Sequence, residues 1–246
     1  MSKVKKLLAI ILSMAMILGM SLTTFAANGT PEAADTAKVS ITDLSGNPTV
    51  TLYQIASAVY GSGDREFIRY NWAEGATFAN PSEPTANEIN AIAQGLTAEE
   101  PTIEYISVIG PEKVNGTTYE KTVSAGAYIA IITGAEDNTV YNPILLTATY
   151  GESGNLVEDP VSATETYLHG STAVAKSTKP SIDKEITSGS TLDGERNTAS
   201  VGDVLTYTIT PTIPDYPSNA TNKTFFISDT MTAGLTFDYS SLTVEI

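Results

Sequence analysis

Apolar and polar residues alternate with a period of two through much of the chain. The run Thr49-Val50-Thr51-Leu52-Tyr53-Gln54-Ile55 puts Val50, Leu52 and Gln54 on one face and consists mainly of β-branched and aromatic residues, as a half-buried strand does. Val39, Ile41 and Leu44 predict a strand ahead of a Gly46-Asn47-Pro48 turn, and Tyr128–Thr133 and Tyr141–Tyr150 predict two more. Pro143 confines the start of the last to an edge or bulge. One segment changes period. Thr85-Ala86-Asn87-Glu88 is a capping box, and Ile89, Ile92, Ala93 and Leu96 follow on one helical face, with Gly95 marking the expected end.

From residue 151 to 181 the composition shifts and the chain is polar and strand-poor in places, which places a boundary near 175–179. A second β pattern starts at Pro180. Ile182, Lys184 and Ile186 alternate, as does Val204–Thr212, and Phe225–Met231 and Leu235–Val244 complete the predicted strands. The fold class expected is mainly β: two tandem Ig-like β-sandwich domains, with one short helix in the first. Only 67 residues follow Lys179, whereas a seven-stranded sandwich takes about 100. The second domain is therefore expected to be truncated, and the chain to be the N-terminal part of a longer protein.

The first 26 residues carry Lys3, Lys5 and Lys6, an apolar run from Leu7 to Leu22, and small residues up to Ala26. That is the pattern of a secretory signal peptide cleaved after Ala26. The expected organisation is signal peptide 1–26, flexible lead-in 27–37, first domain 38–175 and second domain 176–246, with no membrane span in the mature chain.

Composition narrows the function. The 246 residues hold 13 basic and 28 acidic side chains, a formal charge of −15, and loss of the leader lysines leaves 10 against 28, or −18. Nucleic acid, which needs Lys and Arg for its phosphates, is an unsuitable partner. With no cysteine and one histidine, disulfides, thiolate metal sites and Cys nucleophiles are excluded, and His-based catalysis is disfavoured. No metal or cofactor is expected. An exported protein without disulfides needs staples of another kind, if it has any.

Period-two geometry points to one. If Ile182 and Ile186 face the core, so does Lys184, while Asp183 and Glu185 face water; in Phe225–Met231 the inward set of Ile227 and Met231 includes Asp229. Buried charges must be paired or neutralised. In an apolar site the proton can pass from amine to carboxylate, leaving a nucleophilic lysine beside an acid able to polarise a carbonyl. An asparagine carboxamide placed against both would lose ammonia and form an isopeptide bond. The other reading, a snorkelling lysine and a turn-capping aspartate, stays open on pattern alone.

The stretches Lys179-Pro-Ser-Ile-Asp-Lys-Glu-Ile, Val201-Gly-Asp-Val-Leu-Thr-Tyr-Thr-Ile and Ile227-Ser-Asp-Thr-Met-Thr-Ala-Gly-Leu-Thr-Phe together resemble the isopeptide-forming, Cna-type domain of Gram-positive, sortase-assembled major pilins. Val50-Thr-Leu-Tyr-Gln-Ile, Ala127-Tyr-Ile-Ala and Val140-Tyr-Asn-Pro-Ile resemble the family's N-terminal domain. The resemblance implies a non-enzymatic shaft subunit of a fimbria, secreted and anchored to the cell wall. Its implied partners are a sortase, neighbouring pilin subunits, and a host ligand or glycan. It makes Lys184 the isopeptide lysine and Asp229 the assisting acid, with the acceptor Asn in a strand beyond Ile246; Asn219 and Asn222, in a Pro-rich loop, are poor substitutes. It also implies an exposed lysine that sortase joins to the next subunit, usually in Tyr-Pro-Lys. The matching place reads Val174-Ala175-Lys176, which makes Lys176 the first choice and Lys179 the competitor. Rival readings are a non-polymerised wall adhesin of similar domains and the non-catalytic part of a secreted hydrolase.

Other candidates carry less. Lys38 and Asn142 could staple the first domain, but no inward acid stands between them. His169 is expected on the surface. Glu99-Glu100 and Glu136-Asp137 read as solvated turn acids rather than a glycosidase pair, and Trp72 with Tyr70 as core or domain-face aromatics rather than a sugar platform. Asp193-Gly-Glu195 lacks the further ligands of a calcium loop. Asn28, Asn115, Asn219 and Asn222 open Asn-x-Thr sequons that read as chance.

Overall fold

A computed structural model describes residues 23–24, 30–150, 156, 167–193, 196–221 and 223–245. The signal segment, apart from Thr23–Thr24, and its cleavage residue Ala26 lie outside them, as do Glu195 and Asn222. Among the described residues no helix is long and apolar enough to cross a membrane. The chain forms two compact units. One runs up to Pro180 and takes in Pro214–Thr221; the other comprises Ser181–Ile213 and Asn222–Ile246.

In the first unit the strands are β1 (Thr23–Thr24), β2 (Thr36–Thr42), β3 (Thr49–Tyr60), β4 (Phe67–Trp72), β5 (Ser107–Lys113), β6 (Tyr119–Ser124), β7 (Gly126–Thr133), β8 (Val140–Tyr141), β9 (Ile144–Thr149), β10 (His169–Gly170), β11 (Thr172–Val174) and β12 (Ser177–Thr178). A seven-stranded sheet runs β1-β10-β9-β7-β3-β4, with β5 also on β3; a three-stranded sheet runs β11-β2-β6, and β12 pairs with β8. Both larger sheets feed one hydrophobic core. Val50, Leu52 and Gln54 are all buried as their alternation requires, and the buried Gln54 carboxamide is satisfied by the Ser107 hydroxyl at 2.7 Å. β7 is buried on both faces from Gly126 to Ile132, which explains its unbroken apolar run.

The helix α1 (Ala86–Thr97) forms where the capping box lies. Thr85 Oγ1 accepts from Glu88 N at 3.3 Å, and Glu88 Oε2 accepts from Thr85 N at 2.8 Å. The Thr85 hydroxyl also donates to Glu88 Oε2 at 2.6 Å, and this bond, followed by those from Ala79 N and Thr85 N, holds the Glu88 carboxyl below its ordinary range. Ile89, Ile92, Ala93 and Leu96 face inward. Gly95 does not end the helix. It sits in the last turn because a Cβ there would lie 2.6 Å from the Ile103 side chain.

Several expectations are corrected. The expected Tyr141–Tyr150 strand is two strands, because Pro143 has no N–H for a ladder. The lead-in is not loose from residue 30 onward. Ala33 N donates to Asp64 O at 2.9 Å, Glu66 N to Pro31 O at 2.8 Å, and the fully buried Tyr150 hydroxyl donates to Asp35 Oδ2 at 3.0 Å. Residues 167–178, in a stretch expected to be strand-poor in places, contribute β10, β11 and β12.

The second unit contains β13 (Ser181–Ser188), β14 (Thr191–Asp193), β15 (Arg196–Thr198) and β16 (Thr206–Thr212), as two antiparallel pairs, β13-β16 and β14-β15. The expected strands over 225–231 and 235–244 are absent; the second has a 3-10 turn at Tyr239–Ser241. A strand needs a ladder partner, and among the described residues none runs beside these segments. This unit is therefore not a closed sandwich. Val201, Val204, Phe226, Leu242 and Val244 are exposed.

Candidate functional site

In the β13-β16 pair, Ile182 faces Pro211, Lys184 faces Ile209 and Ile186 faces Tyr207. Directly opposed residues share a face. Ile182, Lys184, Ile186, Tyr207, Ile209 and Pro211 thus line one side. On the other, Ser181, Asp183 and Glu185 oppose Thr212, Thr210 and Thr208. One side is apolar with a single charge, the other wholly polar, which is the asymmetry the alternation of Ile182, Lys184 and Ile186 predicts.

Lys184 Nζ reaches Asp229 Oδ1 at 2.8 Å and Oδ2 at 2.6 Å, across 45 residues of sequence. It also stands 4.7 Å from the centroid of the Tyr207 ring, a cation–π contact worth about 0.5–1 kcal/mol when exposed. Tyr207 was not singled out from sequence. Its place in the alternating Tyr207-Ile209 run shows that it is inward, but only the β13-β16 register shows that it neighbours Lys184. The expected burial of the pair is not met: the two side chains remain 36% and 39% exposed. One two-stranded sheet and the irregular 223–231 segment cannot cover an apolar face, and Ile182, Ile227 and Met231 around it are exposed too. Here the pair is a solvated ion pair of at most about 1 kcal/mol. The site holds an amine and a carboxylate; among the described residues no asparagine carboxamide bonds either of them. Asn219 belongs to the first unit, where its carbonyl accepts from Thr97 Oγ1 at 3.4 Å.

The second candidate lies in the first unit. β11 pairs in parallel with β2, Ala175 N donates to Thr42 O at 2.9 Å, and Lys176 O accepts from Asn142 N at 3.0 Å; β12 then pairs with β8. Ala175 is buried and Lys176 exposed, so the backbone is pinned on both sides while the amine stands in solvent. Lys38 pairs with Glu120, Lys113 with Glu136, Lys121 with Glu112, and Lys179 with Asp137 at 3.0 Å. Lys176 has no carboxylate partner among the described residues and is the exception in this unit. Asp137 also accepts from Ser45 Oγ at 3.1 Å and Thr139 N at 3.2 Å. Hydrogen bonding from Thr139 and then from Lys179 holds its carboxyl far below the usual range. Sequence reasoning set Asp137 aside as a loop acid; Thr139 lies in its own loop, but Ser45 and Lys179 come from loops remote in sequence, which no local pattern reveals.

The remaining candidates resolve into structure. His169 is buried in β10, not on the surface, and its Nδ1 has no hydrogen-bond partner among the described residues. Trp72 packs edge-on against Phe78 at 5.7 Å, and Tyr70 is buried against Phe67. Glu99 and Glu100 are exposed beyond the helix.

These features are those of a mainly β chain with one helix in its first unit. The family model of the T6 antigen Ig like domain matches residues 34–177, and the chain belongs to that family. It is 43% identical over 211 residues, 86% of its length, to the trypsin-resistant surface T6 protein of Streptococcus pyogenes serotype M6. It also resembles the solved T6 backbone pilin of serotype M6 Streptococcus pyogenes, described as a modular three-domain structure with variable loops and extensions. That likeness has a TM-score of 0.60 and 42% identity over 74% of this chain. The chain spans 38% of the first relative and 36% of the second.

Proposed function

We propose that this chain is the N-terminal part of a shaft subunit of a covalently polymerised pilus on a Gram-positive cell surface. Its likeness to a backbone pilin supports the role. The observation that carries the chemistry is the convergence of Lys184 and Asp229, distant in sequence, on an otherwise apolar face.

Once further strands close the second domain over this face, desolvation disfavours both charges. The Lys184 proton passes to Asp229, and the neutral amine attacks Cγ of an asparagine on one of those strands. The Asp229 acid polarises the carbonyl oxygen, the Nζ–Cγ bond forms, the Cγ–Nδ2 bond breaks and ammonia leaves. The fold holds the groups in contact, so the reaction needs no enzyme or cofactor. Such a staple restrains the unfolded chain as a disulfide would, and a thiol cannot reduce it.

Subunit joining uses the opposite physics. Lys176 is pinned in backbone, exposed and without a carboxylate partner among the described residues, which suits an amine that a sortase must reach; Lys179 is held by Asp137. The head-to-tail contact is heterologous and builds an open fibre. A neighbouring subunit and a sortase are the partners this requires, and a host ligand or glycan is the further partner of a surface fibre. The expected location is the outer surface, attached to the wall. Full-length protein with its sortase should form high-mass ladders, and K176A should abolish them. Absence of ladders from the wild-type protein would refute the shaft role, and undiminished ladders from a K176A/K179A double variant would refute the assignment of the linking lysine.

A further inference from the structure

The loop between β5 and β6 carries an Asn-Gly pair that the pilin reading does not use. Asn115 and Gly116 are both exposed. Gly116 has φ +118°, and a Cβ there would meet nothing within 4 Å. Neither the Gly116 N–H nor the Asn115 carboxamide has a hydrogen-bond partner among the described residues. The flanks, by contrast, are fixed: Val114 N donates to Pro48 O at 2.8 Å, and Leu44 N to Thr117 O at 3.0 Å.

We propose that Asn115-Gly116 is a site of spontaneous succinimide formation and deamidation. The Gly116 backbone nitrogen attacks Asn115 Cγ; the N–Cγ bond forms, the Cγ–Nδ2 bond breaks, and ammonia leaves with the amide proton. Water then opens the imide at either carbonyl, giving aspartyl or isoaspartyl, with no change of oxidation state. The step needs an unshielded nucleophile and backbone freedom at the pair, which glycine provides. No other asparagine among the described residues meets these conditions so fully. Asn47, Asn80 and Asn142 precede proline, which has no N–H to lose. Asn87 and Asn90 lie within α1, Asn71 within β4 and Asn197 within β15, where the backbone is held, and the nitrogen after Asn219 donates to Pro217 O at 3.0 Å. The nitrogen after Asn138 donates to Asp137. The second Asn-Gly pair, Asn28-Gly29, lies outside the described residues.

The product adds a negative charge to an already acidic chain. Its isoaspartyl form inserts one methylene into the backbone between the two fixed flanks. The inference is independent of the pilin reading, but it bears on its test: the imide lacks the same ammonia, about 17 Da, as an isopeptide bond.

The intact folded protein, held at mildly alkaline pH, is sampled by peptide mapping of residues 114–121 beside a urea-unfolded control. The expected course is loss of ammonia, then a net gain of about 1 Da as paired aspartyl and isoaspartyl products. Conversion should proceed in the folded protein at nearly the unfolded rate, ahead of peptides holding Asn71 or Asn90. N115Q should remove the gain without changing the melting temperature. Protection of about tenfold or more by folding, or conversion of Asn71 or Asn90 at an equal rate, would overturn the proposal.

Discussion

Replacing Tyr150 by phenylalanine removes one oxygen from a buried network. That hydroxyl donates to Asp35 Oδ2 at 3.0 Å, lies 3.2 Å from Glu32 O, and is 2.7 Å from the Tyr60 hydroxyl; the residue is fully buried. The ring contacts with Phe67 at 5.5 Å and Tyr60 at 6.3 Å survive the change, so little packing is lost. What is lost is a hydrogen bond to a carboxylate, worth about 1.5–3 kcal/mol, with the Tyr60 hydroxyl left short of a partner. In a unit this size that lowers the melting temperature by roughly 4–10 °C. With a urea slope of about 2 kcal/mol per molar, the midpoint falls by about 1 M. The loss should be local in its first effect. Amides of Ala33 and Glu66, which tie the lead-in to the 64–66 turn, should exchange faster with solvent before the rest of the sheet does. A Y150F protein within about 0.5 kcal/mol of wild type, with Ala33 protection unchanged, would refute the reasoning.

Alkali should weaken the first unit. Burial raises the pKa of Tyr70, Tyr119, Tyr128 and Tyr150 above the ordinary 10.0. The folded state therefore keeps protons that the unfolded chain has released, and stability present below pH 10 is lost above it. Followed ring by ring by NMR, these four buried tyrosines should ionise together with loss of β structure; their phenolates appearing in a still-folded protein would contradict this. Gly170→Ala should disrupt β10, because its Cβ would fall 1.9 Å from Lys38 O. Soluble expression or melting unchanged from wild type would show that the close approach is absent. In the ladder assay, D137N added to K176A should restore part of the polymer through the released Lys179; linkage peptides that never contain Lys179 would show that the ion pair does not govern its use.

The core of the first unit was legible because each strand carries its own two-residue code. Val50, Leu52 and Gln54 predicted their burial, and Thr85 with Glu88 predicted the helix start. Lys184 was placed on the apolar side for the same reason. Other features depended on partners remote in sequence. β4 and β5 have broken alternation because bulges and edges relax the period. His169 looked like a surface residue until its strand was placed between β9 and β1. Phe225–Met231 has strand composition without a ladder, since composition cannot supply a neighbour. The exposure of the Lys184–Asp229 pair is of this kind, because cover comes from elements other than the two that carry the charges.

The most direct test is the intact mass of the full-length protein beside its K184A and D229A variants. The account predicts that each variant keeps one more ammonia, about 17 Da, than wild type after allowance for the substitution. It also predicts a wild-type cross-linked peptide joining Lys184 to an asparagine. Wild type and variants differing by the substitution alone, with Lys184 recovered as a free amine, would contradict it.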